Sequence, residues 1–100
     1  MATKTRADLV RRVLDKLQMT QTGQNPAPED VTQVDTSLDT ALATLASDEI
    51  VYIADPDKID PAYFDPLAVC VADKMALDFG AAISAEAVFV AQTVLRRIQR

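Results

Sequence analysis

The chain has no histidine, no tryptophan, one cysteine and two glycines among its 100 residues. Each shortage removes a class of chemistry or fold. Without histidine there is no imidazole general base, no histidine-based triad and no histidine metal ligand. A single cysteine, Cys70, permits no internal disulfide and no cysteine-built zinc site. Two widely spaced glycines, Gly23 and Gly80, make no phosphate loop. So few glycines also argue against an all-β chain, which must turn often. Aromatics are only 5% of the chain, so the core must be aliphatic. No run of 18 apolar residues occurs, so no membrane span is expected. The first eight residues lack an apolar signal core, so a cytoplasm-like compartment is expected.

What is present is helical. Residues 66–80 are apolar almost all the way round a helix, with charge only at Asp73, Lys74 and Asp78. A helix of that kind sits at the centre of a core, covered by others. Cys70 lies on it and reads as a small buried hydrophobe rather than a reactive thiol. Thr5, three residues before Asp8, starts a first helix with a near capping box. Leu9, Val10, Val13, Leu14 and Leu17 then form its stripe. Pro28, Glu29 and Asp30 suit the first turn of a second helix. Its stripe is Val31, Val34, Leu38, Ala41, Leu42 and Leu45. Gly80 closes the third helix, Ser84 caps a fourth, and Ala85, Val88, Ala91, Leu95 and Ile98 form the fourth's stripe, widened by Phe89 and Val94.

The expectation is one all-α domain over residues 1–100, a bundle of about four helices at 5–18, 28–47, 65–79 and 84–99. A polar loop with Gly23 and Pro26 joins the first two. Between the second and third lies a short extended or irregular insert around Ile50-Val51-Tyr52-Ile53. Asp-Pro then recurs at a spacing of five, at Asp55-Pro56, Asp60-Pro61 and Asp65-Pro66. The first reads as a turn, the second as a short helical turn through Tyr63-Phe64, and the third as the start of the central helix. The residue before a proline resists the α conformation, so breaks are expected there.

Charge is uneven. Residues 1–28 carry +3, residues 29–65 carry −9 and residues 66–100 carry +1, which together make the net −5. A nucleic-acid reader would show a basic stripe. Here Asp8 and Asp15 interrupt the bases of the first helix, and tight sequence-specific binding is not expected. Asp55, Asp57 and Asp60 are the best metal candidates. An EF-hand loop starting at Asp55 would need glycine at 60 and glutamate at 66, where the chain has Asp60 and Pro66. No metal and no cofactor are expected, and no pair of carboxylates is marked as catalytic. The chain reads as a non-enzyme.

Two segments carry a resemblance. One is Lys4-Thr5-Arg6-Ala7-Asp8-Leu9-Val10-Arg11-Arg12-Val13-Leu14-Asp15-Lys16-Leu17. The other runs from Leu67-Ala68 to Ala72 and through Met75-Ala76-Leu77-Asp78-Phe79-Gly80. With the acidic helix and the Ile50 segment between them, residues 4–80 resemble the head-to-tail adaptor proteins of tailed bacteriophages, also called connector or head-completion proteins. The resemblance implies a helical virion protein that forms a ring, commonly dodecameric, under the portal protein. The ring extends the DNA channel without reading sequence, helps retain packaged DNA and seats tail or stopper proteins. It implies location at the head-tail junction, after assembly in the host cytoplasm. Larger relatives have a long C-terminal arm toward the portal, whereas this chain stops at Arg100, which puts portal attachment by such an arm in doubt.

A ring needs two different surfaces of one chain to meet. The basic first helix and the acidic middle are candidates, with Arg11 and Arg12 of one copy expected against Asp35 and Asp39 of the next. Arg6, Tyr52, Arg96 and Arg97 complete the candidate subunit or portal interface. The competing expectation is a small helical adaptor or regulator that binds one protein and forms no ring, through its first helix or residues 50–53.

Overall fold

The computed structural model describes residues 3–17, 27–55 and 57–99. Among these described residues four α-helices follow in order: α1 (Arg6–Lys16), α2 (Pro28–Ser47), α3 (Pro61–Met75) and α4 (Ala85–Gln99). A single 3₁₀ turn, Ala76–Phe79, continues α3. The all-α bundle expected from composition is the architecture found. The loop expected at 20–27, and the end of the first helix at Gln18 or Met19, fall almost entirely outside the described residues; Leu17 already caps α1.

Local chemistry sets most ends. At the start of α1, Thr5 Oγ1 accepts from the Asp8 N–H at 3.2 Å, and Asp8 Oδ2 accepts from the Thr5 N–H at 3.1 Å. This is a full capping box, which satisfies two otherwise unpaired donors. Pro28 opens α2 at a position where its missing N–H costs nothing, and Glu29 and Asp30 face the positive end of the dipole. Ser84 Oγ accepts from the Ala87 N–H and starts α4.

Helix α3 departs from expectation. It begins at Pro61, not near residue 65, and runs straight through Asp65-Pro66. Asp60 Oδ1 accepts from the Ala62 N–H at 2.8 Å, so the second Asp-Pro pair is the true helix start. Pro66 lies inside the helix and leaves the Ala62 carbonyl without its usual partner. The preference of Asp65 against the α conformation is outweighed by tertiary contacts. Tyr63 and Phe64 pack on the core, and the Asp65 carboxylate is held by two cations of α1. The last turn is 3₁₀ rather than α, and Gly80 ends it at φ 64°, with the Ala81 N–H donating to the Ala76 carbonyl.

Helix α2 ends by the same device with a different residue. The Glu49 N–H donates to Ala46 O and the Ile50 N–H to Leu45 O, the paired bonds of a Schellman motif. Glu49 therefore carries φ 60°, the left-handed region that favours glycine. For a residue with a Cβ that conformation costs about 1 kcal/mol. Glu49→Gly is expected to raise stability by roughly 1 kcal/mol, less the entropy that glycine adds to the unfolded chain. Urea unfolding of the variant beside the parent measures it, and a fall in midpoint refutes it.

The segment after Glu49 is irregular rather than a strand. Ile50 and Val51 point into the core while Tyr52 points out. The chain's one described β-bridge forms elsewhere, where Lys4 and Ile59 exchange backbone hydrogen bonds of 2.8 Å each. This bridge ties the N-terminus to the insert and buries Ile59.

Helix α3 touches each of the other three helices, and α1 also packs on α2. Among the described residues, α3 is the only helix whose backbone lies close to that of α4. Leu67, Ala68, Val71 and Ala72 of α3 are fully buried, and no polar or charged described residue is. Cys70 lies in this core. Burial, and then the nearby Asp73 charge, push its thiol up to about 11, so it remains protonated and inert at neutral pH.

Candidate interface

The charged candidates lie outside this apolar core and divide into those the chain uses itself and those it leaves open. Arg6, in the first turn of α1, reaches α2. Its Nε donates to Asp35 Oδ1 at 2.7 Å, Nη1 to Asp39 Oδ1 at 2.8 Å and Nη2 to the Asp35 carbonyl at 2.8 Å. Its backbone N–H donates to Asp57 Oδ1 at 3.3 Å. The hydrogen bonds that Arg6 donates to Asp39 and Asp35 raise its pKa further above the ordinary value, and the guanidinium is charged at every accessible pH. Asp35 and Asp39 lie four residues apart on one helical face, which is why one guanidinium spans both.

Arg12 is also engaged within the chain. Its Nε and Nη2 both reach Asp65 Oδ1, at 2.9 and 2.7 Å, and Lys16 Nζ lies 3.4 Å from the same oxygen. The expected pairing of Arg11 and Arg12 with Asp35 and Asp39 of another copy is therefore redrawn: in the single chain Arg6 holds both acids, and Arg12 holds Asp65. The reason is reach. Arg6 faces α2 from the end of α1, whereas Arg12 lies toward α3. Arg11 is exposed and makes no ion pair among the described residues. It borders a groove of about 510 Å³ between α1 and α2 with Ala7, Val10, Val31 and Thr32.

Asp65 has a measurable consequence. Burial pushes its pKa up, but the Arg12 hydrogen bond and the Lys16 and Arg12 charges outweigh this and leave it below its ordinary value. Asp8 is also lowered, chiefly by the backbone hydrogen bond from Thr5. A carboxyl depressed in the folded state adds stability above its unfolded pKa and loses it as pH falls through the folded one. The fold should thus weaken below about pH 4. Asp65→Asn should flatten part of that acid limb while leaving the neutral-pH fold intact. Thermal melts across the acid range check it, and an unchanged limb refutes it.

The metal candidates are occupied with backbone. Asp55 Oδ1 accepts from the Asp57 N–H at 3.0 Å, Asp60 caps α3 and Asp57 accepts from Arg6. The Asp55 carbonyl accepts from the Lys58 N–H, which makes the turn expected there. Among the described residues no group of three or more histidine, cysteine, aspartate or glutamate side chains is placed to hold a metal ion. Among the described residues no helix is long and apolar enough to cross a membrane.

The remaining candidates cluster around α4. Tyr52 is 66% exposed and shares a groove with Ala46, Asp48, Glu49 and Arg96. Arg96 and Arg97 are exposed in the last turn, on neighbouring sides of the helix. Helical spacing places Phe89 at the edge of the buried stripe and gives Val90 no role. They are 69% and 54% exposed, and Leu77 on the 3₁₀ turn is 94% exposed. The signal available was the breadth of the α4 apolar set, which is wider than one neighbouring helix can cover. Val90 and Val94 border a second groove, of about 550 Å³, floored by Pro66 and Val69 of α3.

No protein-family model matches this chain, and neither a curated protein nor a solved structure is significantly similar to it.

Proposed function

We propose that this chain is a structural assembly protein, with the role of a head-to-tail adaptor of a tailed bacteriophage. In that role it forms a ring between portal and tail, lengthens the DNA channel and helps retain packaged DNA without reading its sequence. The observation that carries the assembly reading is the distribution of side chains. Every described charge is on the surface around an aliphatic core, and Tyr52, Leu77, Phe89 and Val90 are exposed, with Tyr52 lining one groove with Arg96. Such a surface offers protein contacts, with aromatic and arginine side chains of the kind that anchor interfaces. The further step to a phage adaptor rests on the resemblance of residues 4–80.

The ring contact in this reading uses Arg11 and its groove on one side of the chain and the acidic outer face of α2 on the other. The acids are already neutralised in part by Arg6, so the attraction between copies is weaker than the net charges of the segments suggest. Mixing the protein with a portal protein from the same source and imaging the product by electron microscopy tests the reading. Rings seated on the portal support it. A second reading is favoured by the Tyr52–Arg96 groove: a small adaptor that binds one protein there and forms no ring. A one-to-one complex, lost on Tyr52→Ala and showing no ring order, establishes that alternative and overturns the first.

A further inference from the structure

The exposed flank of α4 carries a charge pattern that complements itself. Glu86, Val90, Thr93 and Arg97 fall at spacings of four, three and four, so they form one stripe along the helix. All four are exposed, and the stripe runs beside the groove that Val90 and Val94 share with Pro66 and Val69. One end is acidic, the middle holds Val90 and Thr93, whose hydroxyl donates to the Phe89 carbonyl of its own helix, and the other end is basic. Neither Glu86 nor Arg97 makes an ion pair among the described residues. The end charges lie about 16 Å apart, too far to meet within one helix.

A two-fold antiparallel pairing of α4 with α4 of a second copy would resolve both features at once. Residue 86 of each chain then lies opposite residue 97 of the other, and Val90 lies opposite the Thr93–Val94 region. We infer that a second copy of this chain docks on this flank as a symmetric dimer, held by two Glu86–Arg97 pairs around a central contact of Val90 with Thr93, flanked by Val94. The same patch is used on both copies, as a two-fold contact requires. The inference is independent of the ring reading, which needs two different surfaces and places them on α1 and α2.

Sedimentation velocity over a concentration series reads the contact directly. The parent is expected to pass from monomer to dimer as concentration rises, with weaker association in high salt. Glu86→Arg and Arg97→Glu each put two like-charged pairs in the homodimer and should raise its Kd by at least about tenfold. The two variants mixed together should pair with each other, and the double variant Glu86→Arg/Arg97→Glu should recover the parent Kd. Val90→Asp should leave only monomer. All four residues are exposed, so circular dichroism melts should match the parent and exclude misfolding as the cause. A parent that stays monomeric up to millimolar concentration overturns the inference. So does a dimer indifferent to the reversals, or a double variant that does not recover. None of these results touches rings seated on a portal, so the two readings fail separately.

Discussion

A Val71→Asp chain will not fold. Val71 is fully buried in α3, the helix that contacts all three others, and no polar described side chain lies in that core to receive a charge. An unpaired carboxylate there costs several kcal/mol even after water penetration and relaxation. The lost apolar burial adds about 1.5 kcal/mol or more. Against a total stability of roughly 5–15 kcal/mol, a 100-residue domain with an aliphatic core has little to spare. The far-UV circular dichroism at neutral pH should show lost helix, and gel filtration should show an expanded chain. Val71→Ala is the companion. It leaves a cavity without a charge and should fold, about 2 kcal/mol less stable and with a Tm lower by roughly 10 °C. If Val71→Asp melts like the parent, α3 is not the axis of the core.

The elements that were legible in the sequence are those specified within a few residues. The Thr5–Asp8 capping box, the Pro28 start, the left-handed Gly80 and the Ser84 cap all act over one turn, and each is where local chemistry puts it. The buried stripes followed from helical spacing, because leucine and valine at that spacing leave water together. What was illegible depends on partners distant in sequence. Asp65-Pro66 reads as a break until Arg12 and Lys16 are known to hold Asp65 in the helix. The Lys4–Ile59 bridge joins residues with no shared pattern. Glu49 occupies a glycine position only because Ile50 and Leu45 both bury, which fixes the Schellman turn around it.

The candidate interface shows the same division. Summed charge correctly marked α1 as basic and the middle as acidic, yet it could not say that the two meet inside one chain. Sums carry no geometry, and opposite charges satisfied within a fold are weaker recognition elements than unpaired ones. Phe89 and Val90 are apolar residues on a helix that, among the described residues, has one close helical neighbour. The number of neighbours is a property of the bundle, not of the helix, so the breadth of the apolar set shows that some flank stays open while no periodicity says which one.

Removing the Arg6 guanidinium should cost about 2 kcal/mol. Arg6→Ala deletes three hydrogen bonds at once, two to carboxylates and one to a backbone carbonyl, all between 2.7 and 2.8 Å. Two of these contacts are charge-assisted, and the guanidinium is only partly exposed, so they exceed an ordinary surface pair. The loss has a second component. Asp35 and Asp39 are left as like charges one helical turn apart, with Asp57 nearby and no cation between them. Arg6→Lys should recover less than half of the difference, because an ammonium cannot span Asp35 and Asp39 in the fixed geometry of a guanidinium. Urea midpoints in low and high salt separate the parts. The repulsive part should shrink in 1 M salt, where screening acts within about 3 Å, while the loss of the carbonyl bond should persist. A cycle of Arg6→Ala with Asp39→Asn should show coupling of at least about 0.5 kcal/mol. Strict additivity, together with an Arg6→Ala midpoint equal to the parent's, would mean that α1 and α2 are held by their apolar faces alone and that Asp35 and Asp39 are free to serve a neighbouring copy.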